Sequence, residues 1–482
     1  MREGRIWIGA LSLLALAGCA TPQAGTERPG IGAAALPLLQ PGAGARAEAG
    51  LSIERWWTLF DDPALNRLIE QALNDNHDLA IAAARVREAR ARLDEVQGSR
   101  LPTLDLQQQD GRARQSADGS LPPGVPLTAS RHQVSLVARH ELDLWGRLSS
   151  SRDAAQSRLL AQEWARASIA WSLSAHLAEA HFSLRAVQRQ IELSEAVRRT
   201  RATSLALRQR ELSAGIANEF DLRRAEAELA TTDGTLAALQ RQHLALQATL
   251  ALLTGGPLAA IVSTQAQPAP LDPARPYTVR LPQGPAADRL LRRPDVRRAE
   301  TLLAAAQADI AAARAATLPG ISLSGSVGSD ARSMSNLLNA PGFVWSLAGS
   351  FTQNLFDGGQ AGARVTQADA RADAALAEYR QVVLGAVTEL REAYAALDVT
   401  QQAEQAASAR VRAMERAHEL ARLGHASGAL GYLDLLDAER NRQQAQLDEV
   451  SARRARLLGQ VAALKALGGG AAGFGPIASA QP

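Results

Sequence analysis

Residues 428–439 have the sequence Gly428-Ala-Leu-Gly-Tyr-Leu-Asp-Leu-Leu-Asp-Ala-Glu439, and they interrupt a long run rich in Ala, Arg, Gln and Glu. No proline occurs in residues 360–423 before the stretch or in residues 440–467 after it. Because proline breaks helix interiors, its absence from both flanks indicates two very long helices.

Glycines and acidic residues in the stretch indicate where one helix ends and the next begins. Glycine commonly ends a helix, and acidic side chains favour the first turn of one. The stretch is therefore predicted to be the tip of an antiparallel helical hairpin. The first helix is predicted to end at glycines 424, 428 and 431, and the first turns of the second to hold Asp434 and Asp437.

A second stretch, Gly215-Ile-Ala-Asn-Glu-Phe-Asp-Leu-Arg-Arg-Ala-Glu226, repeats the first at an offset of 428 − 215 = 213 residues. Glycine, aspartate, leucine, alanine and glutamate recur at matching positions. Two copies of one tip predict that the chain is an internal tandem duplication.

The N-terminus has the features of a lipoprotein signal peptide. Arg2 and Arg5 precede an apolar run of about a dozen residues, whereas a membrane-spanning helix needs about 20. The run ends in Leu16-Ala-Gly-Cys19, and Cys19 is the only cysteine, which rules out an intrachain disulfide. Leu-Ala-Gly-Cys resembles the lipobox of bacterial lipoproteins. This resemblance implies lipidation of Cys19 and, because Ala20 rather than Asp follows, an outer-membrane address.

Composition favours layers of helices over a thick globular core, since only 4% of the residues are aromatic and alanine is abundant. The net charge of +3 is too balanced to indicate nucleic-acid binding. Residues 19–50 are rich in Gly, Ala, Pro and Thr and are predicted to be a flexible tether. The folded part then opens with Arg55-Trp56-Trp57, where the tryptophans are expected to be packing anchors. Asp62 is expected to cap a helix that begins at Pro63.

Each half is predicted to contain a helix, a strand, a loop, a strand, a long helix, a tip and a helix. A helical pattern over Leu73–Leu101 stops before Pro102, and another over Arg293–Leu318 stops before Pro319. The predicted bounds are 1–18 for the signal peptide, 19–50 for the tether, 51–258 for repeat one, 259–284 for a linker, 285–468 for repeat two and 469–482 for a flexible tail.

Within the first repeat, strands are predicted at about 103–112 and 132–145, and helices at about 147–213 and 218–254. The second repeat has predicted strands at about 320–330 and 343–356, and helices at about 360–423 and 431–467. The first long helix lacks Gly and Pro and would reach about 100 Å. Its apolar residues recur at the 4-3 spacing of a coiled-coil seam: Leu173, Leu177, Ala180, Leu184, Val187 and Ile191.

The predicted strands alternate apolar and polar residues, which indicates a sheet with one apolar face. The expected lipid-facing residues include Leu136, Leu142, Trp345 and Leu347, and the expected duct-facing residues Ser135, Arg139, Ser346 and Ser350. Strands of about ten residues suit a membrane barrel, but four strands are too few to close one, because at least about eight are needed. The chain is therefore predicted to oligomerise, and this count allows two, three or four copies.

Several motifs together resemble the TolC-like outer membrane efflux proteins, and among them the NodT-type lipoproteins paired with resistance-nodulation-division pumps. Besides the lipobox and Arg55-Trp-Trp57, they are Asp143-Leu-Trp-Gly146, Arg292-Arg-Pro-Asp-Val296, Asn354-Leu-Phe-Asp-Gly358 and Tyr432-Leu-Asp-Leu-Leu-Asp-Ala-Glu439. The resemblance covers about residues 51–468. It implies a mainly α protomer with membrane β-structure, in which long antiparallel coiled-coil helices accompany four strands of a trimeric 12-stranded barrel. It also implies a periplasmic helical tunnel, closed until a periplasmic adaptor and an inner-membrane transporter engage it.

The resemblance further implies an aperture at the second tip. Leu433 and Asp437 align with a leucine and an aspartate that ring the aperture in closed members of the family. Arg440 lies three positions beyond Asp437, within reach on the same helical face. Repeat one has Phe220 and Arg224 at the equivalent positions, so gating is expected to rest on repeat two. Pairing at the tips is expected to involve Arg223, Arg224 and Asp434.

No catalytic, cofactor or metal site is predicted, and the chain is not expected to be an enzyme. His176, Glu179 and His181 share one helical segment, but His181 lies five positions from His176, off its face, and no second cluster completes a metal site. Asp434 and Asp437 could form an acid–base pair, although helix capping explains them more simply.

The leading hypothesis is a passive outer-membrane exit duct for small molecules such as drugs or toxic compounds. Two alternatives stay open at this point. One is the outer-membrane duct of a type I protein secretion system, and the other is a structural trimeric coiled coil of the envelope.

Overall fold

The computed structural model describes residues 55–114, 116, 126–216, 218–257, 271, 290–337 and 342–468. Cys19, the predicted tether, the predicted tail and nearly all of the predicted linker lie outside the described residues.

The two halves of the chain share one order of elements, a helix, two strands and two long helices, and the first half has a further helix at its start. After a short 3-10 helix at Trp56–Phe60, the first half consists of α1 Pro63–Asp75, α2 His77–Gly98, β1 Thr103–Arg114, β2 Thr128–Glu141, α3 Arg147–Ser213 and α4 Glu219–Thr254. The second half consists of α5 Pro294–Ala315, β3 Gly320–Ala331, a 3-10 turn at Met334–Asn336, β4 Phe343–Thr352, α6 Gln360–Ala426 and α7 Tyr432–Ala466. Helices α3 and α6 each have 67 residues, about 100 Å of helix.

The prediction of one helix over Leu73–Leu101 is wrong at its start, because the helix is interrupted at Asn76, which separates α1 from α2. Asn76 has an extended backbone, and its side-chain oxygen accepts hydrogen bonds from the backbone N–H groups of Asp78 (2.9 Å) and Leu79 (3.2 Å). Its side-chain amide donates to the carbonyl of Leu253 on α4 at 2.9 Å. One side chain therefore caps α2 and binds a distant helix, which a local helical pattern does not reveal.

The first turn of α1 confirms the capping prediction. The carboxylate of Asp62 accepts hydrogen bonds from the N–H groups of Ala64 (3.0 Å) and Leu65 (3.2 Å), with Pro63 in the first turn. The prediction that the paired tryptophans are packing anchors is also confirmed, because Trp56 and Trp57 are buried in the main apolar core.

The core lies where the N-terminal segment packs on the middle of α3. The rings of Trp56 and Trp171 are 6.2 Å apart, and those of Phe60 and Phe182 are 5.0 Å apart. The apolar seam predicted on α3 is buried from Leu173 to Val187. Packing along this seam stabilises a helix that is far too long to depend on local propensity alone.

The four strands form one antiparallel sheet in the order β1-β2-β3-β4. Both second strands end earlier than predicted, β2 at Glu141 rather than 145 and β4 at Thr352 rather than 356. β2 also begins earlier, at Thr128 rather than 132. After each of these strands, a short turn leads into a long helix.

An aspartate caps the N-terminus of each of these long helices. Asp143 accepts hydrogen bonds from the N–H groups of Leu148 (2.9 Å) and Ser149 (2.8 Å). Asp357 likewise accepts from Gly359 (2.8 Å) and Ala361 (2.7 Å). No helix within the described ranges is both long enough and apolar enough to cross a membrane.

Candidate functional site: a two-faced sheet and two helical tips

Strand register assigns every side chain of the sheet to one of two faces, because directly paired residues point the same way. Leu106, Leu136, Val327 and Trp345 form one continuous row across all four strands. The neighbouring apolar row consists of Leu104, Ala138, Gly325 and Leu347. These rows define the apolar face of the sheet, and it is exposed in the single chain: Trp345 is 72% exposed and Leu347 69%.

The opposite face of the sheet is polar and carries its own cross-strand contacts. The hydroxyl groups of Ser322 and Ser350 are 2.7 Å apart, and those of Ser326 and Ser346 are 2.8 Å apart. Arg139 donates to Asp105 at 3.0 Å. Of the residues predicted to face a duct, Arg139, Ser346 and Ser350 therefore share this polar face.

Two residues of the face prediction differ in detail from the others. Leu142 lies just beyond β2, although its N–H group still donates to the carbonyl of Ile321 at 2.9 Å. Ser135 is on the polar face but is buried, because it packs against Gly328, where an added Cβ would lie 2.7 Å from the Ser135 Cβ. Glycine at 328 is thus needed for the close approach of β2 and β3.

The two helical tips end their first helices with the same motif. Gly215 and Gly428 both have positive φ, 71° and 76°. After α3, Ile216 N–H donates to the carbonyl of Glu211 at 2.9 Å, and after α6, Ala429 N–H donates to that of Gly424 at 2.8 Å. The glycine N–H groups donate to Leu212 and His425, both at 3.0 Å. This is the Schellman arrangement, which favours glycine because of its left-handed backbone.

Gly424 does not end its helix, contrary to the prediction, since α6 continues to Ala426. A side chain at Gly424 would clash with Leu430, whose Cδ1 lies 2.7 Å from the position of an added Cβ. The glycine therefore permits close packing of the tip rather than a chain reversal.

The second tip places the predicted aperture residues at the start of α7. Asp434 accepts a hydrogen bond from Gly431 N–H at 3.0 Å, which confirms that it caps the helix. Asp437 instead accepts from Arg440 (3.3 Å) and Asn441 (3.0 Å) on its own helix. Leu433 is 48% exposed, and the side chains of Asp437 and Arg440 are 60% and 58% exposed.

At the first tip, Arg223 binds Glu219 and Glu226 of its own helix, each at 3.0 Å. Residues three and four positions apart share one helical face, so these pairs are local. The expected pairing of Arg223, Arg224 and Asp434 across the tips stays a prediction. Ile216 and Phe220 expose large apolar side chains here, 81% and 68%.

Contact between the two hairpins joins Tyr432, the first residue of the second-tip motif, to residues of α3 that belong to no motif. The hydroxyl group of Tyr432, the first residue of α7, lies 3.0 Å from that of Ser204 on α3. The guanidinium of Arg208 lies 3.9 Å from the centre of the Tyr432 ring. Arg201 of α3 is buried, with Glu228 of α4 at 3.2 Å and Gln443 of α7 at 3.3 Å. Each of these pairs between α3 and α7 is more than 200 residues apart in sequence, so local motifs gave no signal.

A profile of the outer membrane efflux protein family matches residues 68–256 and 287–470. The chain belongs to this family. It is 33% identical over 433 residues to the solvent efflux pump outer membrane protein SrpC of Pseudomonas putida, covering 89% of this chain and 90% of that protein. It is 30% identical over 417 residues to the cation efflux system protein CusC of Escherichia coli K12, covering 86% and 88%.

Among solved structures, the chain is similar to the outer membrane channel MtrE of Neisseria gonorrhoeae in its open state, with a TM-score of 0.77 and 32% identity over 89% of this chain and 97% of that one. The resemblance inferred from the motifs is therefore confirmed, and so is the mainly helical fold with a few strands. The outer membrane efflux function implied by that resemblance is confirmed with it. The family is one of transport channels rather than enzymes.

One buried polar cluster of this efflux protein holds its N-terminal segment to α3. Asp62 accepts from Arg185 at 2.6 Å and lies 3.1 Å from His181 Nε2. Burial raises the pKa of Asp62, but the hydrogen bond with His181 and the electrostatic attraction of His181 and Arg185 outweigh burial, so the pKa is well below its usual range. Burial lowers the pKa of His181 despite the nearby carboxylate.

His176 is exposed on another side of α3, so the structure separates the two histidines of the rejected metal hypothesis. Within the described ranges, no three potential metal-binding side chains of His, Cys, Asp or Glu come together.

Proposed function

We propose that three copies of this chain form the exit duct of a tripartite efflux pump, passively conducting small molecules from the pump to the exterior. Lipidated Cys19 and a 12-stranded barrel hold it in the outer membrane, and the helices form a tunnel in the periplasm. Its partners are a periplasmic adaptor protein and an inner-membrane transporter of the resistance-nodulation-division class.

The exposed apolar face of the sheet carries this proposal. A soluble protein rarely exposes so broad an apolar surface, whereas lipid is a natural neighbour for it. The sheet also ends in two edges, β1 and β4. Unpaired strand edges are not tolerated in lipid, so β1 of one copy pairs with β4 of the next until the barrel closes. Three copies of the four-stranded sheet supply the 12 strands that the family resemblance implies.

The second tip supports the proposal that the duct is gated. The exposed side chains of Leu433, Asp437 and Arg440 are available to face the other copies near a common axis. Leu433 forms an apolar constriction and Asp437 an anionic ring. Like charges close together are unfavourable unless compensated. Arg440 supplies part of the compensation within each copy, and bound cations supply the rest.

The relatives support export of small solutes without fixing one substrate. SrpC is a solvent efflux pump protein and CusC a cation efflux protein, so similar ducts serve chemically different cargo. The lining of the duct is accordingly generic, and selection of the substrate belongs to the transporter.

An efflux assay tests the proposal. The chain is expressed with its adaptor and transporter in a host that lacks outer membrane efflux channels, and retention of a fluorescent substrate of that transporter is measured. The proposal predicts lower retention than without the chain, together with trimers in the membrane fraction by chemical cross-linking. Equal retention in cells that contain the assembled trimer and both partners would refute it.

A further inference from the structure

Arg112 and Arg114 lie on the same face of the sheet as the apolar rows, but past the end of those rows. Moving from the row of Leu136 toward the strand–strand loops, the next row is Gln108, Val134, Ser329 and Phe343. After it come Asp110 with His132, then Arg112 with Ser130, and finally Arg114 with Thr128. Arg112 and Arg114 therefore lie on the same face as Leu136 and Trp345.

These rows lie at the end of the sheet far from the helices. Every connection to a helix leaves from the opposite end, at residues 103, 141, 320 and 352, while both strand–strand loops lie at the end of Arg112 and Arg114. In the proposed barrel, the loop end faces the exterior, because the helices occupy the periplasm.

The spacing places the arginines at the level of lipid headgroups. Eight residues of β3 separate Ile321 from Ser329, at the two limits of the apolar rows, which gives about 20 Å of height when strands tilt by about 40°. Arg112 is four residues past Gln108 on β1, about 10 Å higher on the same estimate. A hydrocarbon band of about 25 Å ends between these levels.

The two arginines give this surface an excess of positive charge. Asp110 is already engaged, since its two carboxylate oxygens contact His132 at 2.7 Å and Gln108 at 2.8 Å. Arg131 is on the polar face and binds Asp330 at 2.6 Å. Arg112 and Arg114 are exposed, and neither has an ion pair with a residue that the structure describes.

We propose that Arg112 and Arg114 bind the phosphate groups of a phosphorylated lipid in the outward-facing leaflet. The guanidinium fork matches phosphate oxygens, and the apolar rows beneath accept the acyl chains, so a lipid fits this surface better than free phosphate does. The inference rests on the proposed function, because it requires the apolar face to contact lipid. In a trimer, the site repeats three times around the barrel.

Lipid retention by the full-length trimer tests this inference. Purified wild type and the double variant Arg112→Gln/Arg114→Gln are incubated with bisphosphorylated lipid A or with phosphatidylcholine, and bound lipid is counted by native mass spectrometry. Each arginine near a charged membrane surface is worth about fivefold in affinity, so the double variant should bind lipid A about 30-fold more weakly. Arg131→Gln, at the same height on the polar face, is the matched control and should bind like wild type.

A second measurement separates this inference from the proposed function. All three proteins are floated with vesicles of phosphatidylcholine alone, which need only the apolar face. If all three insert but the double variant retains lipid A as well as wild type, or Arg131→Gln loses as much, the inference is overturned and the proposed function stands. If wild type does not insert into these vesicles, the proposed function fails and the inference fails with it.

Discussion

The hydroxyl group of Tyr432 lies 3.0 Å from that of Ser204, which connects the first residue of α7 to the tip-proximal part of α3. Arg208, one helical turn further along α3, covers the Tyr432 ring. The residue next to Leu433 is thus held by the other hairpin of the same chain. We expect movement of the second tip away from the proposed axis to break these contacts.

Loosening this contact should therefore open the channel. Tyr432→Ala removes both the hydrogen bond and the ring, whereas Tyr432→Phe keeps the ring over which Arg208 lies. We expect Tyr432→Ala to raise the open probability in planar bilayers and Tyr432→Phe to raise it less. A double-mutant cycle of Tyr432→Ala and Arg208→Ala, measured on the open probability, should give a coupling free energy of about 0.5–2 kcal/mol, the range from exposed to desolvated cation–π contacts. Strictly additive effects would mean that Arg208 and Tyr432 do not cooperate in closure.

The assignment of sheet faces predicts different outcomes for adjacent residues of β4. Leu347→Arg puts a charge on the apolar face in a central row, which costs about 2–4 kcal/mol at the middle of a membrane. Ser346→Arg puts the same side chain on the polar face and should cost little. Trimer yield in the membrane fraction measures both. Equal losses from the two variants would show that the strand phase or the membrane assignment is wrong.

Acid should destabilise the protein through the buried Asp62–His181–Arg185 cluster. Burial lowers the pKa of His181. Below about pH 6.5 the unfolded chain therefore binds a proton that the folded protein does not, and the free energy of unfolding decreases as the pH is lowered. The lowered pKa of Asp62 acts in the same direction at still lower pH, because its contribution is lost as pH falls below about 4.

Thermal unfolding of the detergent-solubilised protein at pH 7 and pH 5 measures this effect. The melting temperature of wild type should drop between the two pH values, and that of His181→Gln should drop less, because glutamine does not titrate. His176→Gln, on the exposed side of α3, should behave like wild type. A drop of the same size in His181→Gln and wild type would remove His181 from the explanation.

Cys19 is predicted to be the lipidated first residue of the mature protein. Mass spectrometry of protein purified from membranes should find an N-terminal peptide that begins at Cys19 and carries acyl chains. Two or more chains are expected, since one gives only marginal anchoring. Cys19→Ala should lose the lipid while the barrel keeps the protein in the membrane. Intact residues 1–18 or an unmodified Cys19 in the mature chain would disprove the assignment.

Features set by local chemistry were predictable from the sequence. Pro102 and Pro319 end helical patterns, Gly215 and Gly428 end the long helices, and strict alternation gave the two faces of the sheet. These effects act over a few residues, so a single sequence displays them. The duplicated tips and family motifs then provided the architecture and the function.

Features set by distant contacts were not predictable in the same way. Asn76 breaks a good helical pattern because it also binds Leu253, and Gly424 stays helical because Leu430 packs against it. Sequence spacing relates His181 only to His176 and Glu179, although it belongs to a buried cluster with Asp62. The partners of Tyr432 lie on the other hairpin, more than 200 residues away in sequence.

Single-channel conductance tests most directly whether the second tip closes this duct. Purified trimers of wild type and of Leu433→Ala/Asp437→Ala are compared in planar lipid bilayers, with and without millimolar divalent cations. We expect low conductance for wild type and a clear rise in the double variant. Divalent cations should block wild type more strongly than Asp437→Ala, because the anionic ring binds them. Unchanged conductance in a double variant whose trimers are intact would contradict the account and place closure elsewhere in the molecule.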